Sequence, residues 1–323
     1  MPGFVLSPAV LAAFIALLFG LIVGSFANVV IHRLPLGQSV VFPASRCPKC
    51  GSAIKPWQNL PVISWLFLRG RCAQCREPIS ARYPLVEALH GLGFGLIVWN
   101  FGPYPFTLLL LVFFSALVIL ALIDWDHQIL PDVITLPGVL IGIAGSFLPG
   151  ALVDWRESGV AAGFGYVAFF LVAEGYARLR GIEGLGQGDW KLAAMMGAFL
   201  GVQRLMLTVF LASLSGMIYG LVQAFRLRAV QSDSTSILAV AGDAVAAAEP
   251  PIDATPAPLP DVEPVPETSN PGPTTDDRPH LPEEPVSIGK YKLPFGTFLA
   301  ASAIFVLFRG DAILLWYASF FRF

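Results

Sequence analysis

Eight long apolar stretches restrict what this chain can fold into. A helix that crosses a bilayer needs about 20 mostly apolar residues. Candidates run over Pro8–Ile31, Pro84–Phe101, Pro105–Ile123, Val133–Leu148, Gly159–Ala177, Trp190–Val202, Leu205–Phe225 and Leu293–Phe308. Only helices and closed barrels satisfy all their backbone polar groups inside a bilayer. The expectation is therefore an all-α polytopic membrane protein with about eight transmembrane helices. Only 13% of residues are charged and 55% are hydrophobic, whereas a soluble domain carries about 25% charged residues. The net charge of −2 gives no basis for nucleic-acid binding. The first stretch lacks a basic leader and exceeds the roughly 7–15-residue apolar core of a cleavable signal, so it is expected to remain as a helix. Trp190–Val202 is short and contains glycine, and needs neighbours to cover its ends. The tail Asp311–Phe323 reads as either a final partial span or an interfacial helix.

Basic residues set the orientation. The loop after the first span carries Arg33, Arg46, Lys49, Lys55, Arg69, Arg71, Arg76 and Arg82 against one acid, Glu77. That loop is expected in the cytoplasm, with the N-terminus outside. Alternation then puts Asp124–Asp132 and Arg178–Asp189 on the cytoplasmic side as well. Between Gln231 and Ile288 the chain turns rich in Pro, Ala, Thr and acids, with almost no aromatics. Such a stretch buries too little apolar area to offset ordering entropy, and reads as a disordered linker.

All four cysteines fall in the basic loop, as Cys47-x-x-Cys50 and Cys72-x-x-Cys75. Paired at this spacing they suggest a zinc site. Four thiolates close a tetrahedral structural centre with no open position. Two redox pairs are the alternative, but no βαβ pattern accompanies them. The apolar run Asn59–Leu66 between the pairs is expected to pack on the metal module or against the membrane. The boundaries that follow are a first transmembrane helix (1–31), a small cytoplasmic zinc-binding domain (32–83), a transmembrane core (84–228), the linker (229–289) and a C-terminal transmembrane or interfacial segment (290–323).

Two carboxylates carry the chemical interest. Asp124 closes the third apolar stretch, and Asp189 follows Gly184-Leu185-Gly186-Gln187-Gly188 and precedes Lys191. Each alone could be a solvated helix end. Together on one membrane face they form the acid–base pair of an aspartic peptidase, one taking a proton from water while the other donates to the carbonyl oxygen. Gly186 and Gly188 would let a substrate backbone approach and allow positive φ. No Gly-Lys-Ser/Thr follows and no strand precedes, which argues against a phosphate loop. Asp132 is explained by its place in a first helical turn, Asp126 and His127 read as loop residues, and Glu174 has no obvious partner.

These motifs together carry a family resemblance. Gly24-Ser25-Phe26-Ala27-Asn28 through Leu34-Pro35, the cysteine pairs, Asn59-Leu60-Pro61, Arg82-Tyr83-Pro84-Leu85-Val86-Glu87, Ile123-Asp124 through Pro131-Asp132, and Gly186-Gln187-Gly188-Asp189 with Lys191 resemble bacterial prepilin peptidases, the leader peptidase/N-methyltransferases. The resemblance implies cleavage after glycine in type IV prepilins or type II secretion pseudopilins. N-methylation of the new terminus from S-adenosylmethionine follows. It implies Asp124 and Asp189 as the catalytic pair, Gly186, Gly188 and Lys191 around the substrate, and Cys47, Cys50, Cys72 and Cys75 on zinc. Asn59, Arg82 and Glu87 are candidates for methyl transfer. The implied location is the bacterial inner membrane, with the active site at the cytoplasmic face. The competing reading is a non-catalytic, zinc-bearing membrane scaffold.

Overall fold

The computed structural model describes residues 7–181, 186–246 and 294–319, and for 227–246 the backbone alone. Its helices are α1 (Pro8–Arg33), α2 (Ile63–Phe67), α3 (Arg82–Phe101), α4 (Pro105–His127), α5 (Asp132–Gly145), α6 (Trp155–Arg180), α7 (Gln187–Ala246) and α8 (Phe295–Ser319). α1, α3, α4, α6, α7 and α8 are long and apolar enough to cross a membrane, and α5 is a shorter apolar helix. Among the described residues no strand forms. The chain is thus a nearly all-helical, multi-pass membrane protein.

All eight apolar stretches become helix, but two of them share α7. Gly201 joins them with φ 78° and ψ 173°, values open to glycine and costly for other residues. Space enforces the same choice, because a Cβ at Gly201 would stand 2.7 Å from Val153 Cγ1. α7 then continues through 227–246, so the first part of the stretch read as an unstructured linker is helical. The remainder of that stretch lies outside the described residues. The undecided tail continues α8 as far as Ser319. The chain divides into two compact units, residues 1–217 with 293–323, and residues 218–292. The two acids and the cysteine loop all belong to the first unit.

The helix ends follow from local sequence. Ser7 accepts the Val10 N–H and Pro8 opens α1, while His32 and Arg33 complement the dipole in its last turn. Asp154 caps α6 by accepting from the Arg156 and Glu157 N–H groups at 2.8 Å. α4 lies at the centre of the first unit and packs against α1, α3, α5 and α8. Its Phe106, Leu110, Phe113, Leu117 and Leu120 are fully buried, and Phe113 stacks on Phe199 with centroids 4.3 Å apart. In lipid there is little hydrophobic gain between helices, so close packing of small residues joins them. Gly20 and Gly24, one turn apart on α1, lie against α3: a Cβ on Gly24 would sit 2.7 Å from Glu87 Cα. The opposite face of α1 exposes Leu11, Phe14, Ile15, Leu18 and Ile22, as a lipid-facing helix should.

Between α1 and α3 the chain forms two similar knuckles. The bridges Arg46–Ala53 and Arg71–Pro78 each close a Cys-x-x-Cys turn. Within them the Gly51 N–H donates to Cys47 O, and the Arg76 N–H to Cys72 O. Gly51 and Arg76 occupy the equivalent positive-φ position, at 69° and 61°. The Asn59–Leu66 run splits in two roles. Trp65 packs on Gly70 and donates its Nε1–H to Ile79 O at 3.1 Å, whereas Ile63 and Leu66 point outward.

Candidate active site and metal centre

Asp124 and Asp189 come from helix ends that converge at one end of the bundle. Asp124 sits in the last turn of α4, which Gln128 ends in a left-handed conformation. A carboxylate there faces the negative end of its own helix dipole. α8 supplies the compensation. The Thr297 N–H donates to Asp124 Oδ2 at 2.7 Å, and the Thr297 hydroxyl lies 3.1 Å from the same oxygen and 2.9 Å from Ala121 O. Thr297 belongs to the first turn of α8, where backbone N–H groups have no partner within the helix and the dipole is positive. Asp189 sits in the first turn of α7 and accepts the Gly186 N–H on Oδ2 at 3.2 Å, the reach-back half of a capping box. Both acids are buried, at 5% and 6% exposure.

Leu130 packs against the glycines beside both acids. A Cβ on Gly188 would lie 2.5 Å from Leu130 Cβ, and a Cβ on Gly296 would lie 2.9 Å from Leu130 Cδ1 and 3.1 Å from Asp124 Oδ2. Gly188 and Gly296 are therefore required by close approach. The positive φ anticipated for Gly186 and Gly188 is absent, since neither is among the left-handed glycines. Among the described residues a Cβ on Gly186 would meet only Asp189 Oδ2, at 3.5 Å. Gly184 and Leu185 lie outside the described residues. Thr297 and Gly296 were not identified from sequence; their only signal is a Gly-Thr pair where the last span begins.

Other residues change role. The Lys191 ammonium is held by both oxygens of Asp132 at 2.7 Å, joining the starts of α7 and α5. Asp126, read as a loop acid, lies within α4 and pairs with Arg82 at 2.6 Å. Arg82 also donates to Leu122 O at 3.4 Å, so it faces the Asp124 helix. This contact puts the knuckle end of α3 beside the Asp124 end of α4. Glu174 does have a partner, Arg178 at 2.9 Å one turn along α6.

The four cysteine sulfurs lie within 4.8 Å of one another, with Cys47 Sγ 3.8 Å from Cys75 Sγ. Tetrahedral coordination at a Zn–S distance of about 2.3 Å needs edges of about 3.8 Å, so the sulfur cage suits a metal of that size. All four are free thiols. Hydrogen bonds from the Cys75 and Gln74 N–H groups hold the Cys72 thiol down to about 6, toward the thiolate that binds metal, whereas the neighbouring sulfurs help push Cys75 up to about 12. The cluster can therefore hold a metal ion.

A cavity of about 420 Å³ opens between the knuckles, α1 and the start of α3. Of the three methyl-transfer candidates, Asn59 and Glu87 line it and Arg82 does not. Glu87 is 8% exposed, and its Oε2 accepts the Val62 N–H at 2.7 Å.

Fold and site together define a polytopic helical membrane protein with a buried two-carboxylate centre and a tetrathiol module at the same end. Residues 18–101 match the bacterial peptidase A24 N-terminal domain, and residues 111–221 match the type IV leader peptidase family. The chain belongs to the type IV leader peptidase family. It is 40% identical over 242 residues to a prepilin leader peptidase/N-methyltransferase of Neisseria gonorrhoeae, covering 68% of this chain and 84% of that protein. A protein of the same name from Pseudomonas aeruginosa is 39% identical, with 70% of this chain and 87% of the relative covered. One from Myxococcus xanthus is 46% identical over 62% of this chain and 60% of the relative. No solved structure matches the chain.

Proposed function

We propose that this protein is a bifunctional prepilin leader peptidase and N-methyltransferase, with Asp124 and Asp189 as its catalytic pair. Supporting this reading, both acids are buried at helix ends whose neighbouring glycines, Gly188 and Gly296, pack on the same Leu130. Water between two carboxyls can lose a proton to the ionised one while the other donates to the scissile carbonyl oxygen. The proton taken up then passes to the leaving amine. Thr297 and the Gly186 N–H fix the two side chains. Gly186, with no Cβ, would let the substrate backbone approach Asp189, and the Lys191–Asp132 pair ties the start of α7 to the start of α5.

The substrates on this reading are type IV prepilins or type II secretion pseudopilins, whose apolar helix stays in the bilayer while the leader meets the acids. The knuckle end bears the basic residues of the first loop. The positive-inside rule then puts both sites at the cytoplasmic face of the inner membrane. The four cysteines would hold zinc as a closed structural centre. S-adenosylmethionine would supply the methyl group for the newly freed terminus. Asp124→Asn and Asp189→Asn test the assignment. Each should slow leader cleavage by roughly 10² to 10⁴-fold with protein level unchanged, and normal cleavage by either variant would remove it from the mechanism.

A further inference from the structure

We propose that the lipid-facing side of α5 and α6 meets a locally thinned leaflet at the Asp189 end, which brings water and the end of the substrate helix down to the acids. This rests on the peptidase half of the proposed function, and makes the bilayer itself a partner of that site.

The apolar length is short on this side. α5 has 14 residues. Counted on to Leu148, before the turn at Pro149-Gly150, Val133–Leu148 is 16 residues, about 24 Å as helix. α6 is longer, but its uncharged part, Ser158–Ala173 between Glu157 and Glu174, is again 16 residues and about 24 Å. The hydrocarbon layer is about 30 Å thick. α1, by contrast, carries no charge over the 24 residues Pro8–Ile31, about 36 Å. Both short segments meet lipid: Val133, Leu136 and Leu140 make an exposed stripe on α5, as do Val160, Val167 and Leu171 on α6. The two helices pack together. A segment shorter than the local hydrocarbon draws the leaflets together around it.

The shortfall lies at the Asp189 end. The far end of α5 is level with the start of α4, since a Cβ on Gly145 would lie 3.3 Å from Phe106 Cε2 and one on Gly150 3.1 Å from Tyr104 Cβ. From Phe106 to Asp124, α4 advances 18 residues, about 27 Å. From Gly145 back to Asp132, α5 covers 13 residues, about 20 Å. α5 therefore stops about 7 Å short of the level of Asp124.

Two ion pairs mark the depth of the water boundary there. Lys191 and Asp132 join the starts of α7 and α5, with side chains 21% and 53% exposed. On α6, Tyr166 and Phe170 stack on Trp190, the residue between Asp189 and Lys191. One turn further along, Glu174 pairs with Arg178, at 41% and 77% exposure. Charges this exposed belong in water or among headgroups, since hydrocarbon makes them costly. Tyr176 follows, exposed, an aromatic of the kind that gathers at the interface. The bilayer surface beside α5 and α6 is thus drawn to about the depth of Asp189. A peptidase that cuts at the end of a membrane helix needs water and unpaired substrate backbone at its acids, and intact hydrocarbon tolerates neither.

The test follows prepilin cleavage by the full chain in vesicles of phosphatidylcholine and phosphatidylglycerol with monounsaturated chains of about 14 to 22 carbons. Glu174→Leu/Arg178→Leu lengthens the uncharged part of α6 to Ser158–Leu179, 22 residues or about 33 Å. Neither residue is assigned to the catalytic pair or its supports. At about 18 carbons this variant should cleave roughly five- to thirtyfold more slowly than wild type, and at about 14 carbons within about twofold of it, which also shows that it is folded. Glu174→Gln/Arg178→Gln removes the ion pair but keeps the polar boundary, and should match wild type at every chain length. Wild type itself should slow as the bilayer thickens. A leucine variant that equals wild type throughout, or that is as slow in thin bilayers as in thick ones while the glutamine variant is active, would overturn the inference and leave the acid pair standing. No cleavage by wild type at any thickness removes the peptidase reading and this inference with it.

Discussion

Replacing Thr297 by valine isolates one contact on a catalytic acid. Valine keeps the volume and backbone, so the N–H bond to Asp124 Oδ2 at 2.7 Å survives and only the hydroxyl at 3.1 Å is lost. A hydrogen bond to a charged group is worth about 1.5–3 kcal/mol. Here one hydroxyl proton is shared with Ala121 O at 2.9 Å, which places the loss at about 1–2 kcal/mol. That corresponds to roughly 5- to 30-fold slower cleavage. Gly296→Ala is the harsher companion. Its Cβ would press on Leu130 Cδ1 at 2.9 Å and Asp124 Oδ2 at 3.1 Å, and a misplacement on the order of 1 Å costs about 10²-fold. Initial rates of leader removal from a purified prepilin, resolved by gel mobility, measure both. The loss should fall on kcat rather than KM, since neither residue is assigned to the substrate. Wild-type kcat in both variants, at equal protein level, would mean that α8 does not hold the catalytic acid.

Other expectations concern the supports around the acids and the knuckles. Gly188→Ala should cost about 1–3 kcal/mol of stability through overpacking, because its Cβ would lie 2.5 Å from Leu130 Cβ. Leu130→Gly removes the Cβ that clashes, so the double variant should lose less thermal stability than the two single changes added together, and a strictly additive double variant would argue against that contact. Lys191→Met breaks a partly exposed ion pair with Asp132, a loss of about 0–1 kcal/mol, so cleavage should fall less than tenfold; complete inactivation would give Lys191 a direct role in chemistry. Cys72→Ser should lower the metal content of the purified protein and expose residues 46–80 to limited proteolysis, since structural zinc contributes about 10–16 kcal/mol in small modules. Full metal retention would break the tetrathiol assignment.

Much of this was legible because the bilayer imposes strict rules. Span length locates α1, α3, α4 and α6 closely, and Cys-x-x-Cys spacing is enough to mark both knuckles. The two acids could be placed on one face by counting spans and basic residues. What escaped sequence reasoning is tertiary. Thr297 meets Asp124 across 173 residues, with the whole linker stretch between them. Arg82, named beside Glu87 on the strength of the resemblance, turns to Asp126, because helix residues five apart point in different directions. Sequence suggests room for a substrate backbone and positive φ as the reasons for Gly186 and Gly188, and only the positive φ is overturned. For Gly188 the structure adds a neighbour, Leu130, which no local pattern could name. The break at Gly201 is legible as a boundary, since the apolar stretch divides into Trp190–Val202 and Leu205–Phe225 there; what sequence does not show is that a single residue at φ 78° makes the turn with no loop.

The central claim is that Asp124 and Asp189 act on one reacting carbonyl. A structure of the full chain bound to a leader peptide whose scissile amide is replaced by a secondary alcohol tests it directly. The account predicts the alcohol oxygen within about 2.6–3.2 Å of a carboxyl oxygen from each acid. An alcohol that contacts only one of them, or that binds elsewhere with both carboxyls unaltered, would contradict it.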